Sequence, residues 1–334
     1  MTPIRPAALN LRMKRSARRQ HIPRDDLDLV ADKVAVMTHL ELTSYRCGDY
    51  LCDNGFSRSG YPHCFPRHRH IVALDAQARK KMIDWCFRIV DHFGMNREMV
   101  ATATSTLDLF VSKFQCDKTK FKLAAMTSLY MATKIHDKEQ LQLEKLAALS
   151  KGEFTMHDIV QMEAKILQVL DWRVNPVTVH SFIHSFISSV PTSNPIITRA
   201  IYDRAIFFAE LCLFDYSYVS RRRSSIAAAA ILNALEGIEG HSTCMNYNCE
   251  AAFLSALEEN LSLEFAMEPL DGLREDLWYI YSMSAQYQDD DIHMLMPAED
   301  AVHIDKRNQK SGGNGHDMHV SHSPISVLSR NSLS

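Results

Sequence analysis

Two stretches with almost no polar face, about a hundred residues apart, constrain the fold of this 334-residue chain more than any other feature. The first is FKLAAMTSLYMATKI at 121–135, and the second is IAAAAILNAL at 226–235. A helix that is apolar on nearly every side is stable in water only when other elements surround it. Two such helices therefore require two sets of covering helices. Neither can span a bilayer, which takes about 20 consecutive apolar residues, whereas the longest unbroken run here is IAAAAIL at 226–232.

The covering helices are legible from period and punctuation. Asp75 suits the N-cap of a helix whose apolar positions Met82, Ile83, Cys86, Phe87, Ile89 and Val90 recur at helical spacing, with Gly94 at its stop. Asn96 can cap the next, which carries Val100, Ala103, Leu107, Phe110 and Val111 inward. A short helix at 142–149 follows the first apolar helix. Thr155 and Asp158 then form a capping box that opens a helix running to Leu170, and Asn175-Pro176 ends the set. The pattern repeats with helices at 177–190, 196–214, after Ser224-Ser225, at 251–263 and at 270–283. The expected fold is all-α, two tandem five-helix bundles each built round an apolar helix.

Composition excludes other classes. Hydrophobic residues make up 46% and charged residues 23%, close to globular averages, so the chain is neither wholly disordered nor fibrous. The net charge of −3 hides an uneven distribution. Seven basic residues and no acid lie in residues 1–24, whereas 71–285 carries 21 basic and 26 acidic residues. An acidic body is a poor surface for nucleic acid. The tail from 286 onward has few aromatics and many Ser, Gly, His and Asp, so it is expected to be disordered, like the N-terminal arm. The division is thus 1–70, basic and largely irregular apart from a short helix near 25–42; 71–174 and 175–285, the two bundles; and 286–334, a polar tail. The first twenty residues hold no secretory apolar stretch, so the eight cysteines are expected to be thiols in a reducing compartment.

Three charges sit badly for a simple core. Glu163 has Ile159, Val160, Ile166 and Leu167 as helical neighbours, Asp108 follows Leu107 on an inner face, and Lys134 ends the first apolar helix. A buried unpaired charge is expensive, so each needs an opposite partner. On periodicity alone they read as structural ion pairs or as charges facing a protein partner.

The residues ARKKMIDW at 78–85, LDLF at 107–110, Leu123, MATKIHD at 131–137 and MEAKILQVLDW at 162–172 resemble the cyclin box. Its five signature positions fall at Arg79, Asp108, Leu123, Lys134 and Glu163, in order. ELCLFDYSY followed by SSIAAAAILNAL is similar to the second cyclin fold, so the resemblance covers roughly 71–285. It implies two cyclin folds and a non-catalytic subunit that activates a cyclin-dependent serine/threonine kinase in cell-cycle control, without a cofactor or metal. It further implies that Lys134 and Glu163 face the kinase around its αC helix, that Arg79 and Asp108 form an internal ion pair bracing the first helix, and that Leu123 lies in the box core. Met82, Trp85 and Phe121 would floor a docking patch for substrate or inhibitor peptides with an Arg-x-Leu motif. Ala78, Arg88 and Lys122 depart from the usual residues there, and two cations beside the groove oppose an arginine ligand. The alternatives are a transcriptional cyclin and a TFIIB-like factor, although the latter's Cys-x-x-Cys ribbon and basic core are missing.

Other signals are weaker. Lys14, Arg15, Arg18 and Arg19 resemble a nuclear-import cluster, consistent with a protein of nucleus and cytoplasm. Arg24 to Leu27 matches a minimal degradation element, and Ser323-Pro324 a proline-directed phosphosite. Cys47, Cys52, His63, Cys64, His68 and His70, and likewise His241, Cys244 and Cys249, lack the spacing of a zinc knuckle. There is no phosphate loop, dinucleotide glycine fingerprint or Glu-x-x-His pair, which disfavours enzyme readings.

Overall fold

The computed structural model describes residues 24–51, 74–136, 141–192, 194–239, 249–261 and 270–284, and contains helices and turns with no strand among them. The expected N-terminal arm, the import cluster, residues 52–70 of the Cys/His loop, His241, Cys244, Ser323-Pro324 and the polar tail lie outside these residues. Helix α1 (Arg24–Leu42) precedes two groups: α2 (Ala76–His92), α3 (Glu98–Lys113), α4 (Lys118–His136), α5 (Leu143–Leu149) and α6 (Met156–Val169), then α7 (Val179–Phe186), α8 (Pro195–Phe214), α9 (Arg223–Glu239), α10 (Cys249–Leu261) and α11 (Leu270–Ser282). No described helix is long and apolar enough to cross a membrane.

Local chemistry explains the boundaries. The Asp75 carboxylate accepts the Ala78 amide at 2.6 Å and opens α2. Its end is turned by Gly94 at φ 63, which only a residue without Cβ adopts at no cost. The Asn96 side chain accepts the Glu98 amide at 2.9 Å at the start of α3. Thr155 and Asp158 close a reciprocal capping box on α6. Asn194 accepts the Ile196 amide, with Pro195 in the first helical position of α8.

The two polar-poor helices are central, as their composition demands. α4 is packed by α2, α3, α5 and α6, and α9 by α7, α8, α10 and α11. Residues 226–232 of α9 are all within 2% of complete burial. The cores of the two bundles are not wholly separate. One apolar cluster runs from Leu107, Phe110, Phe121 and Ile166 of the first group into Phe182, Phe208, Ile231 and Leu277 of the second. A smaller cluster fills the rest of the first bundle around Phe87, Val100, Leu129 and Ile159. The junction is therefore a packed interior that resists hinge motion.

Helix α1 is more than a short helix in an irregular arm. It lies on α7 and α10 with Val34 and Met37 buried, so the segment before residue 71 contributes to the second bundle. Glu41, itself buried, accepts the Ser224 amide at 3.1 Å and the Ser224 hydroxyl at 2.5 Å, with Arg222 Nε 3.6 Å away. A carboxylate thus caps the N-terminus of the central helix α9 from another part of the chain. Glu41→Ala is expected to cost about 2 kcal/mol, because it orphans the buried Ser224 amide and removes the cap. Urea unfolding would measure it, and a loss below about 0.5 kcal/mol would contradict the cap's role.

Candidate functional site

The Lys134–Glu163 pair is built by two helices meeting at a bundle surface. Lys134 stands in the last turn of α4 and Glu163 in the middle of α6, and their side chains form an ion pair. Those side chains are 30% and 18% exposed, so the pair is neither buried in the core nor free in solvent. The Lys134 ammonium also sits 4.5 Å from the Tyr130 ring centroid, a cation–π contact one turn back on α4. Of the four apolar neighbours that place Glu163 on an apolar face, Ile159 and Ile166 are buried, whereas Val160 is 48% exposed. Glu163 therefore lies at the margin of the buried stripe. Met156, also exposed, stands one turn before Val160 on that margin, and exposed Ile135 adjoins Lys134. Fixed positive and negative groups beside open apolar side chains can donate to a peptide carbonyl, accept a peptide N–H and bury a partner's side chains in one contact.

Arg79 and Asp108 form the second pair, and here both members are buried. The guanidinium engages the carboxylate bidentately, Nε to Oδ1 at 2.9 Å and Nη2 to Oδ2 at 2.7 Å. Burial opposes the arginine's charge, but the adjacent Asp108 carboxylate outweighs it and moves the guanidinium above its ordinary pKa. The geometry reaches further than bracing α2. Arg79 Nη1 donates to the Leu213 carbonyl of α8 at 2.6 Å, and the Tyr50 hydroxyl donates to Asp108 Oδ1 at 2.7 Å. The Tyr216 hydroxyl in turn accepts the Tyr50 and Leu51 amides at 2.7 and 2.9 Å. One ion pair thus joins both bundles and the segment after α1. Burial first, and then the Asp108 carboxylate, raise the Tyr50 hydroxyl, which stays a protonated donor.

The remaining signature residue, Leu123, is half-buried and packs against both apolar clusters. The expected docking patch is only partly assembled. Met82 and Trp85 are half-buried, but Phe121 is 3% exposed and belongs to the core. Phe121 is therefore not part of an open groove floor. The two cations beside the patch are not isolated either: Arg88 pairs with Asp84 at 2.6 Å and Lys122 with Glu153 at 3.0 Å.

Two further polar contacts cross between the bundles, and periodicity gave no sign of them. Arg97 Nη1 lies 2.9 Å from Glu210, a buried carboxylate of α8 that burial raises to about 7 despite the arginine. Beside it, Glu98 faces His184 at 3.5 Å, and the His184 contact lowers its pKa. His180 is buried next to them, with no hydrogen-bond partner for either ring nitrogen among the described residues. Cys47, Cys86, Cys116, Cys212 and Cys249 are buried free thiols, and among the described residues no group of three or more His, Cys, Asp and Glu is arranged to hold a metal ion.

Comparison with known proteins fits this architecture. Residues 55–175 match the family model of the cyclin N-terminal domain, and residues 177–259 that of the cyclin C-terminal domain. The chain belongs to the cyclin family. Mouse (Mus musculus) G2/mitotic-specific cyclin-B3 is 28% identical over 164 residues, 49% of this chain and 11% of that protein. Human (Homo sapiens) G1/S-specific cyclin-D1 is 26% identical over 160 residues, 48% of this chain and 54% of that protein. This cyclin therefore aligns with about a tenth of the first relative and about half of the second. A viral cyclin from herpesvirus saimiri superposes with a TM-score of 0.55 at 16% identity, over 76% of this chain and 99% of that one, a likeness of fold.

Proposed function

We propose that this cyclin is a non-catalytic regulatory subunit that binds a cyclin-dependent serine/threonine kinase through the α4–α6 face and activates it in cell-cycle control. The observation that carries the reading is the half-exposed Lys134–Glu163 pair flanked by exposed Ile135, Met156 and Val160. Lys134 would donate to and Glu163 accept from peptide groups around the kinase αC helix, while the apolar side chains are covered. Activation follows from holding αC so that its glutamate reaches the ATP-binding lysine, and from ordering the activation loop. The chemistry stays on the kinase. Relatives named for G2/mitosis and for G1/S support a role in the division cycle without selecting a phase. Nucleus and cytoplasm are the compartments this role requires, with Lys14, Arg15, Arg18 and Arg19 as the import cluster.

The test is affinity purification of the full chain from dividing cells, followed by a kinase assay. A kinase is expected to co-purify in active form, and the double variant Lys134→Ala, Glu163→Ala to lose at least about tenfold in activation, equivalent to about 1.4 kcal/mol of binding. Removing both charges together leaves no uncompensated one, so circular dichroism should still show a folded helical protein. Unchanged activation by the folded double variant would refute the assignment of these residues.

A further inference from the structure

Ser44 lies in the turn that ends α1, half-buried between exposed Thr43 and buried Tyr45. Its Oγ accepts a hydrogen bond from Arg173 Nη1 at 3.2 Å, across 129 residues of chain. Arg173 is exposed in the connection between α6 and α7. Arg46, also exposed, is two residues beyond Ser44, and Arg223 Nη1 donates to the Tyr45 carbonyl at 3.1 Å. Two guanidinium groups, those of Arg173 and Arg223, therefore contact one short turn, and a third arginine stands two residues beyond Ser44 in the chain. Among the described residues neither Arg46 nor Arg173 pairs with a carboxylate. The nearby Glu41 is committed to Ser224 and Arg222, and exposed Asp171, two residues before Arg173, makes no ion pair with it. A weak serine hydroxyl is thus the acceptor for a cation whose geometry suits a bidentate anion. Thr43 next door is differently engaged, donating its hydroxyl to the His39 carbonyl at 2.7 Å.

We infer that Ser44 is a phosphorylation site whose phosphate is held by Arg173, with Arg223 at the same turn supplying further positive charge. The inference does not rest on the α4–α6 reading. In the modifying step a serine/threonine kinase supplies a nucleoside triphosphate. The Ser44 Oγ–phosphorus bond forms, the bond from the γ-phosphorus to its bridging oxygen breaks, the nucleoside diphosphate leaves, and the hydroxyl proton passes to the kinase's base. A phosphate here adds about −1.5 to −2 charges and three strong acceptors beside an arginine already in contact. The result is a charged rivet between the end of α1 and the connection joining the two bundles.

The test uses the full chain with phosphoserine genetically encoded at position 44. Titration by phosphorus NMR should place its second pKa at least about 0.5 below the ordinary value near 6, and Arg173→Gln should remove most of that shift. The melting temperature should rise by about 2 °C or more at low salt, and the rise should vanish in Arg173→Gln and at about 1 M salt. Millimolar inorganic phosphate added to the unmodified chain should not reproduce the rise; if it does so fully, the turn is a free-anion site and the covalent proposal fails. An unshifted titration, or a shift that survives Arg173→Gln undiminished, overturns it. So does mass spectrometry of the protein from dividing cells, sampled across the cycle, that finds phosphate on Thr43 or nowhere on this turn.

Discussion

Asp108→Ala is expected to destabilise the protein by about 3–5 kcal/mol, the cost of leaving a buried guanidinium without its counter-charge. Both members are almost completely enclosed, with side-chain exposures of 4% and 7%, so Arg79 cannot turn to solvent when its partner is removed. The Tyr50 hydroxyl loses its acceptor in the same substitution, which adds an orphaned buried donor. Asp108→Asn is expected to fall between the wild type and alanine, because the amide retains an oxygen for Tyr50 but not the charge. The double variant Arg79→Leu, Asp108→Leu is expected to lose clearly less than the two single variants combined, since it removes the charges together and leaves two apolar groups in an apolar setting. Urea unfolding followed by circular dichroism supplies the comparison. A loss under about 1 kcal/mol for Asp108→Ala would show that water reaches Arg79 and that the pair does not hold the junction.

The second large effect is a pair of opposed pH dependences at the junction of the bundles. Burial lowers His180 from 6.5 to about 4, with Glu98, His184, Arg97 and His136 the charged groups around it. Below about pH 6.5 the unfolded imidazole binds a proton that the folded one refuses, so acidification toward pH 4 subtracts stability. Glu210 has the opposite sign. Burial raises it to about 7, against the attraction of Arg97 and with Asp91 assisting, so between pH 7 and 4.5 the folded state holds a proton that the unfolded state lacks. Acidification over that window adds stability. Each proton is worth up to about 1.4 kcal/mol per pH unit, and the two contributions nearly cancel in the wild type between pH 6.5 and 4.5. His180→Leu should therefore become relatively more stable as pH falls across this range, and Glu210→Gln relatively less stable, diverging by about 3 kcal/mol or more at pH 4.5 relative to pH 6.5. Unfolding curves at half-unit steps test this, and parallel pH profiles for the two variants would refute it. His180→Leu should also be the more stable protein at pH 7.5, because it removes a buried imidazole with no hydrogen-bond partner among the described residues.

What could be read in advance depended on whether the signal was local. Asp75, Gly94 and the Thr155–Asp158 box mark helix ends through groups one to four residues apart, and the structure uses all of them. Phe121 shows the limit of a helical period. On a helix that is apolar all round, spacing carries no phase information, so it cannot separate a side chain that floors a surface groove from one that fills the core; Phe121 fills the core. The same limit applies to α1, whose residues are visibly helical but whose partner, the N-terminus of α9, lies 183 residues further along. Tyr50, Tyr216, Arg97, Glu210 and Glu98 were missed because each is an ordinary residue until a distant one is placed beside it.

By itself, the sequence determined the helices, the two that had to be central, and the charges that could not remain unpaired. A helix wheel, a cap and a charge count depend only on neighbours along the chain, which share one local geometry. Only the tertiary structure decided that Arg79 and Asp108 are enclosed while Lys134 and Glu163 stay half-open, that one apolar cluster runs through both bundles, and that Arg173 reaches the Ser44 turn. Those outcomes depend on distances and solvent access between residues 29 to 129 positions apart, which packing sets and local spacing cannot.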